Sequence, residues 1–193
     1  MAARRPARGY ASLVRGIAAG GLAIAVLLAG LAATGDERGL PADWQGFEST
    51  TGRFRAMFPG VPVESSNSRR TLVGRLTGYR YEVDRGETFF MIETRDLPTM
   101  ARFFLPKASL VEKAADGLLE HAAGAVLENT AGKSGAFESR AIRYRVPGEA
   151  TSMRLALVVL VEKRLYLVIA GGPDTPAFTA LAADFIGSFD YWQ

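Results

Sequence analysis

Two stretches near the C-terminus, Met153 to Val161 (MRLALVVLV) and Leu165 to Ala170 (LYLVIA), are almost continuously apolar and are joined only by Glu162-Lys163-Arg164. Short Val- and Leu-rich runs bounded by turn residues read as strands, and strands that lack an apolar–polar alternation are covered on both faces. The brief link makes them an antiparallel hairpin at the centre of a sheet, with other elements packed above and below.

The flanking segments alternate instead, as strands with one solvated face do. Phe54, Ala56 and Phe58 share one side of a strand that ends at Pro59-Gly60-Val61-Pro62, a turn that permits only an edge-like continuation. Tyr79, Tyr81 and Val83 lie on one face, Asp84-Arg85-Gly86-Glu87 is turn chemistry, and Phe90 and Ile92 face alike on the returning strand. Phe137 to Val146 sets Ile142, Tyr144 and Val146 against Arg143 and Arg145.

Two helices interrupt this order. Ser109 with Glu112 three residues on reads as a capping box, and Gly124 as a left-handed stop. Between them Val111, Ala115, Leu118 and Ala122 form an apolar stripe opposite Glu112, Lys113, Asp116 and Glu120, so this helix lies along the sheet. Thr175 caps a second helix with Pro176 at its first position, and Phe178, Leu181, Phe185 and Phe189 follow at helical spacing. Six or seven strands without strand–helix alternation predict an α+β fold, a central antiparallel sheet packed by helices, and exclude a doubly wound parallel one.

The N-terminus is of another kind. Arg4, Arg5, Arg8 and Arg15 precede an uncharged apolar run over 17–33, and the first acid is Asp36. A positive flank, an apolar core and a polar break describe a secretory signal or a signal-anchor. Seventeen residues exceed a typical signal core and meet the short limit for spanning a bilayer, which favours a retained single-pass anchor with the C-terminal domain outside the cytoplasm. The alternative is cleavage, leaving a secreted or periplasmic protein. The expected organisation is residues 1–34 as leader, 35–43 as a Gly- and Pro-containing linker, and 44–193 as one extracytoplasmic domain. The leader also carries the basic character: of 23 basic and 20 acidic residues, removing its four arginines leaves 19 against 20. A nucleic-acid surface needs its cations in the domain, so nucleic acid is not an expected partner.

Trp44, Phe47-Glu48-Ser49 and the stretch Gly52-Arg53-Phe54-Arg55-Ala56-Met57-Phe58-Pro59-Gly60-Val61-Pro62 resemble the opening of PsbP-like exported domains. The later order, a helix ending near Gly124, a strand pair, the Arg154–Leu167 hairpin and a last helix closing on Phe185-Ile186-Gly187-Ser188-Phe189, is similar as well. The resemblance spans 44–193. It implies an α/β/α sandwich in an envelope protein that binds or assists without an active site. No ion-binding or partner-binding residue of the photosystem members has a matching motif here, and no photosynthetic role is implied.

The chemistry-bearing residues are few. Without cysteine and with a single histidine, the chain lacks thiol nucleophiles, thiolate metal sites and multi-histidine metal sites. No catalytic, cofactor-binding or metal-binding residue is expected. His121 is a helix-edge residue with no nucleophile elbow to serve, and a hydrolase built on it is the minor alternative. Gly132-Lys133-Ser134-Gly135 lacks the earlier glycine of a phosphate loop and reads as a hairpin turn; Gly171-Gly172-Pro173-Asp174 reads as a strand-to-helix turn. Alternating Arg53/Arg55 and Arg143/Arg145 would form a cationic strip only if their strands were adjacent. The segment 96–107 (DLPTMARFFLPK) differs: it is long, bracketed by Pro98 and Pro106, and carries Met100, Phe103, Phe104 and Leu105 as candidate ligand or partner contacts. The expected function is a non-enzymatic binding or accessory domain of the cell envelope, held to the membrane by 17–33. Its partner is an envelope protein or a small apolar ligand; a lipid carrier using the 96–107 loop is the alternative.

Overall fold

A computed structural model describes residues 39–71, 74–98, 104–147 and 152–192. The leader over 1–34 lies outside them, and among the described residues no helix is long and apolar enough to cross a membrane.

Among the described residues ten strands and two helices follow one another: β1 (Gln45–Ser49), β2 (Phe54–Phe58), β3 (Val63–Thr71), β4 (Gly74–Asp84), β5 (Phe89–Asp96), α1 (Lys107–Ala122), β6 (Ala125–Ser134), β7 (Phe137–Arg145), β8 (Ser152–Val161), β9 (Arg164–Pro173), α2 (Pro176–Ser188) and β10 (Asp190–Tyr191). Seven of them form one antiparallel sheet in the order β3-β4-β5-β9-β8-β7-β6, and β1-β2-β10 form a small second sheet. The apolar hairpin β8–β9 lies inside the large sheet, as its composition requires. Met153, Leu155, Leu157, Val159 and Val161 of β8 face one core, while Ala156, Val158 and Leu160 face the other.

The two cores differ in what closes them. On one face α1 lays Leu110, Val111 and Ala115 onto Ile142, Tyr144, Val158 and Ile169. On the opposite face α2 and the small sheet form a roof rich in aromatic residues. Phe185 of α2 meets Phe58 at 5.3 Å and Phe90 at 5.2 Å between ring centroids, both edge-to-face, and Trp44 stands edge-on to Phe90 at 4.8 Å. Such pairs add about 0.5–1.5 kcal/mol each beyond the area they bury. The molecule is an α+β sandwich of helix, seven-stranded sheet, and helix with small sheet.

Several local expectations are corrected. The Phe54–Phe58 strand belongs to the roof and not to the main sheet. The edge strands β3 and β6 carry almost no apolar alternation in VESSNSRRT and AVLENTAGKS, so only the turns at 59–62 and 132–135 mark them in the sequence, and β1 and β10 are too short to show a pattern. Ser109 does not cap α1: the helix starts two residues earlier behind Pro106, whose carbonyl accepts from Leu110 N, and the Glu112 carboxylate pairs with Arg140 instead. Proline presets the backbone for helix entry and has no amide to lose. The left-handed stop is Ala123 (φ 46°), not Gly124. Ala123 N bonds Glu120 O and Gly124 N bonds Leu119 O, a Schellman pair. Gly124 is required for closeness, since a Cβ there would lie 2.6 Å from the Tyr144 ring.

Gly171 and Gly172 likewise lie within β9, where Cβ atoms would strike Phe89 and Phe178. The Thr175 cap holds, its hydroxyl accepting from Phe178 N at 3.2 Å. Gly135 (φ 56°) turns the β6–β7 hairpin at the phosphate-loop lookalike.

Candidate polar recess

Three adjacent strands of the main sheet grade from apolar to polar along the face that carries the roof. Their register sets the rungs: Val83 opposite Phe90 opposite Ala170, Tyr81 opposite Ile92 opposite Val168, Tyr79 opposite Thr94 opposite Tyr166, and Asp96 opposite Arg164. The first two rungs pack under Trp44, Phe54, Phe58 and Phe185. Beyond them the β1–β2 turn brings Thr51 over the sheet, and a recess of about 300 Å³ opens, lined by Thr51, Thr77, Tyr79, Thr94, Asp96 and Arg164.

Arg164 organises this end. Its Nε and Nη2 donate to the two oxygens of Asp96 at 2.7 and 3.1 Å, a two-point grip, and its Nη1 donates to the Thr51 carbonyl at 2.7 Å. The Arg164 side chain is 15% exposed against 44% for Asp96, so the carboxylate presents its remaining lone pairs to the recess. Hydrogen bonding from Arg164, opposed by partial burial and aided by the charges of Arg164, Lys163 and Arg53, holds the Asp96 carboxyl below its ordinary value. The pair raises Arg164 in turn.

The wall is pinned from beneath. Tyr166 donates its hydroxyl to the carbonyls of Gly52 and Arg53, each at 3.1 Å, and burial pushes this phenol up to about 12. Ser49 Oγ accepts from Gly52 N at 2.8 Å and donates to the Tyr81 hydroxyl at 2.7 Å. The hydroxyls lining the recess are engaged far less. Thr77 faces Ser68 at 3.5 Å, and those of Thr51, Tyr79 and Thr94 make no hydrogen bond to another described residue.

Of the expected contact residues, Met100 and Phe103 lie outside the described residues. Phe104 is 70% exposed, and Leu105 is half-buried against the α1 core. Their segment starts from the recess, since its first residue is Asp96, and Leu97 N bonds Lys163 O as the chain leaves. His121 is exposed at the C-terminal end of α1, on the sheet face opposite the recess. The arginines do not form a strip: Arg55 of β2 pairs with Asp190, whereas Arg143 and Arg145 of β7 share Asp174. The residues missed from sequence are Thr51, Thr77, Tyr79, Thr94 and Arg164. The available signal was the replacement of inward-facing apolar residues by Thr94-Asp96 and Tyr79-Thr77 at one end of alternating strands.

Sandwich and recess together define a small α+β domain of open, polar-site architecture. Its fold is PsbP-like. The solution structure of cyanobacterial PsbP (CyanoP) from Synechocystis sp. PCC 6803 is similar to this chain with a TM-score of 0.53 at 13% identity, over 83% of this chain and 99% of that one. No family model matches the chain, and no curated protein matches it in sequence.

Proposed function

We propose that this chain is a membrane-tethered accessory domain of the bacterial cell envelope, which binds a ligand or partner at the end of its main sheet without performing chemistry on it. The observation that carries this reading is the graded face of β4, β5 and β9. A row that would be apolar under a complete roof ends in Thr77, Tyr79, Thr94, Asp96 and Arg164, several of whose hydroxyls have no described protein partner. Polar groups drawn into a recess and left unmatched inside the protein are suited to bonding something brought to it. Similarity of fold to cyanobacterial PsbP supports an assisting role, and the Arg-flanked apolar run over 17–33 supports delivery to the far side of the membrane with the tether retained.

Phe104, exposed just before α1, offers a second contact for a partner protein, and Leu105 beside it attaches that segment to the α1 core.

The test has two arms. A phosphatase reporter fused after Gln193 is active only on the far side of the membrane, and cytosolic retention refutes the localisation. Full-length protein is then crosslinked in intact envelopes, and the captured material is compared between wild type, Asp96→Ala and Phe104→Ser. Capture lost in either variant, with far-UV spectra unchanged, supports the binding surface. Capture indifferent to both variants refutes it.

A further inference from the structure

The recess presents both signs of charge at close quarters, and that restricts what enters it. Asp96 lines it with a carboxylate that is 44% exposed, which repels an anion. Arg164, Lys163 and Arg53 all act on that same carboxylate, and a cation entering to meet Asp96 meets their field. Arg164 cannot turn to an incoming anion without abandoning Asp96 and the Thr51 carbonyl, to which three of its nitrogens are committed. Hydroxyls remain as the available vocabulary: Thr51, Thr77 and Tyr79, each able to donate and accept, beside the spare lone pairs of Asp96, with Thr94 buried at the floor. Tyr79 adds a half-buried ring.

Resting on the reading of this recess as a binding site, we infer that its ligand is a neutral saccharide. A ring bearing adjacent hydroxyls matches a wall of alternating donors and acceptors, and its apolar C–H face matches an aromatic ring. A space of about 300 Å³ is at the lower end of small-molecule sites, which suits one or two sugar rings rather than a lipid chain or a polymer segment. A contact this small binds weakly, and binding strengthens where several tethered copies meet one glycan.

Saturation-transfer difference NMR on the full-length protein in nanodiscs tests this, with N,N′-diacetylchitobiose, trehalose and maltose as neutral probes, glucose 6-phosphate as the anionic one and glucosamine as the cationic one. The expected result is transfer to at least one neutral disaccharide and several-fold weaker transfer to the charged sugars. Thr77→Val and Asp96→Asn should each weaken the neutral sugar by roughly three- to tenfold, the scale of one lost hydrogen bond, with the thermal midpoint of at least one variant near wild type. No transfer to any neutral probe, stronger transfer to glucose 6-phosphate, or affinity unchanged in both variants overturns the saccharide assignment. If crosslinked capture in envelopes still depends on Asp96, only the ligand class has failed; if that dependence is absent too, the recess as a binding site has failed with it.

Discussion

Replacing Tyr166 by phenylalanine isolates the link between the main sheet and the turn that walls the recess. The side chain is buried, and its ring contacts Phe189 at 5.2 Å and Tyr191 at 6.2 Å, contacts that phenylalanine keeps. Only the hydroxyl is lost, and with it the shared bond to the carbonyls of Gly52 and Arg53 and the contact of the phenol oxygen with Arg164. That turn is under strain, because Arg53 sits at φ 54°, a left-handed conformation costing a non-glycine residue about 1–2 kcal/mol. Arg53 O retains a second donor, Trp192 N at 3.3 Å, whereas Gly52 O has no other described donor. A net hydrogen bond of about 1 kcal/mol, plus the partial cost of one carbonyl left short of a partner, gives a loss of roughly 2 kcal/mol.

For a chain of this size each kcal/mol moves the thermal midpoint by about 2–4 °C, so Tyr166→Phe should lower it by roughly 4–8 °C. Circular dichroism melts measure this, and urea titration should show a shifted midpoint at unchanged slope. Hydrogen exchange at the Gly52 amide, now bonded to Ser49 Oγ, should accelerate more than exchange within β8. A midpoint within about 1 °C of wild type refutes the reasoning, for the turn would then be held by something other than this phenol.

Other outcomes follow from the same structure. Tyr144 and Tyr166 are both pushed up to about 12 by burial, so the unfolded chain loses these protons first; stability present below about pH 10 should fall as pH rises towards 12, and Tyr144→Phe should flatten part of that fall in pH-dependent melts. Asp96 runs the opposite way: its lowered folded value supplies stability at neutral pH that is lost on acidification through that value, and Asp96→Asn should remove that acid sensitivity. Ala123→Gly should raise stability by about 0.5–1 kcal/mol, since relief at the left-handed position exceeds the added chain entropy, and a lowered midpoint would show the stop is held elsewhere. Gly171→Ala should cost about 1–3 kcal/mol, because its Cβ would lie 2.3 Å from Phe89; an unchanged urea midpoint counts against that packing argument.

Much of the architecture was legible in the residues themselves. The unbroken apolarity of Met153 to Val161 and Leu165 to Ala170 leaves a strand no solvated face, so a central hairpin between two packed layers follows from composition alone. The α1 stripe and the Thr175-Pro176 start of α2 were equally local. The edge strands β3 and β6 showed only through the turns beside them, because pairing with one neighbour at a solvated margin demands little of the side chains. The caps of α1 went to Pro106 and Ala123 for a related reason: several nearby residues satisfy the same cap, and contacts such as Gly124 against Tyr144 decide among them.

The recess depends on register. Thr77, Tyr79, Thr94, Asp96 and Arg164 are unremarkable polar residues on three separate strands, and only the pairing of Tyr79 with Thr94 and of Asp96 with Arg164 turns them into one floor. Periodicity reports which side of a strand a residue occupies but not which rung it reaches, nor where a roof ends above it. The chain's own residues thus determined the layers, the central hairpin and the helix faces, since burial acts on each segment separately. Its polar recess was decided by tertiary structure alone, through strand alignment and the reach of the Thr51 turn.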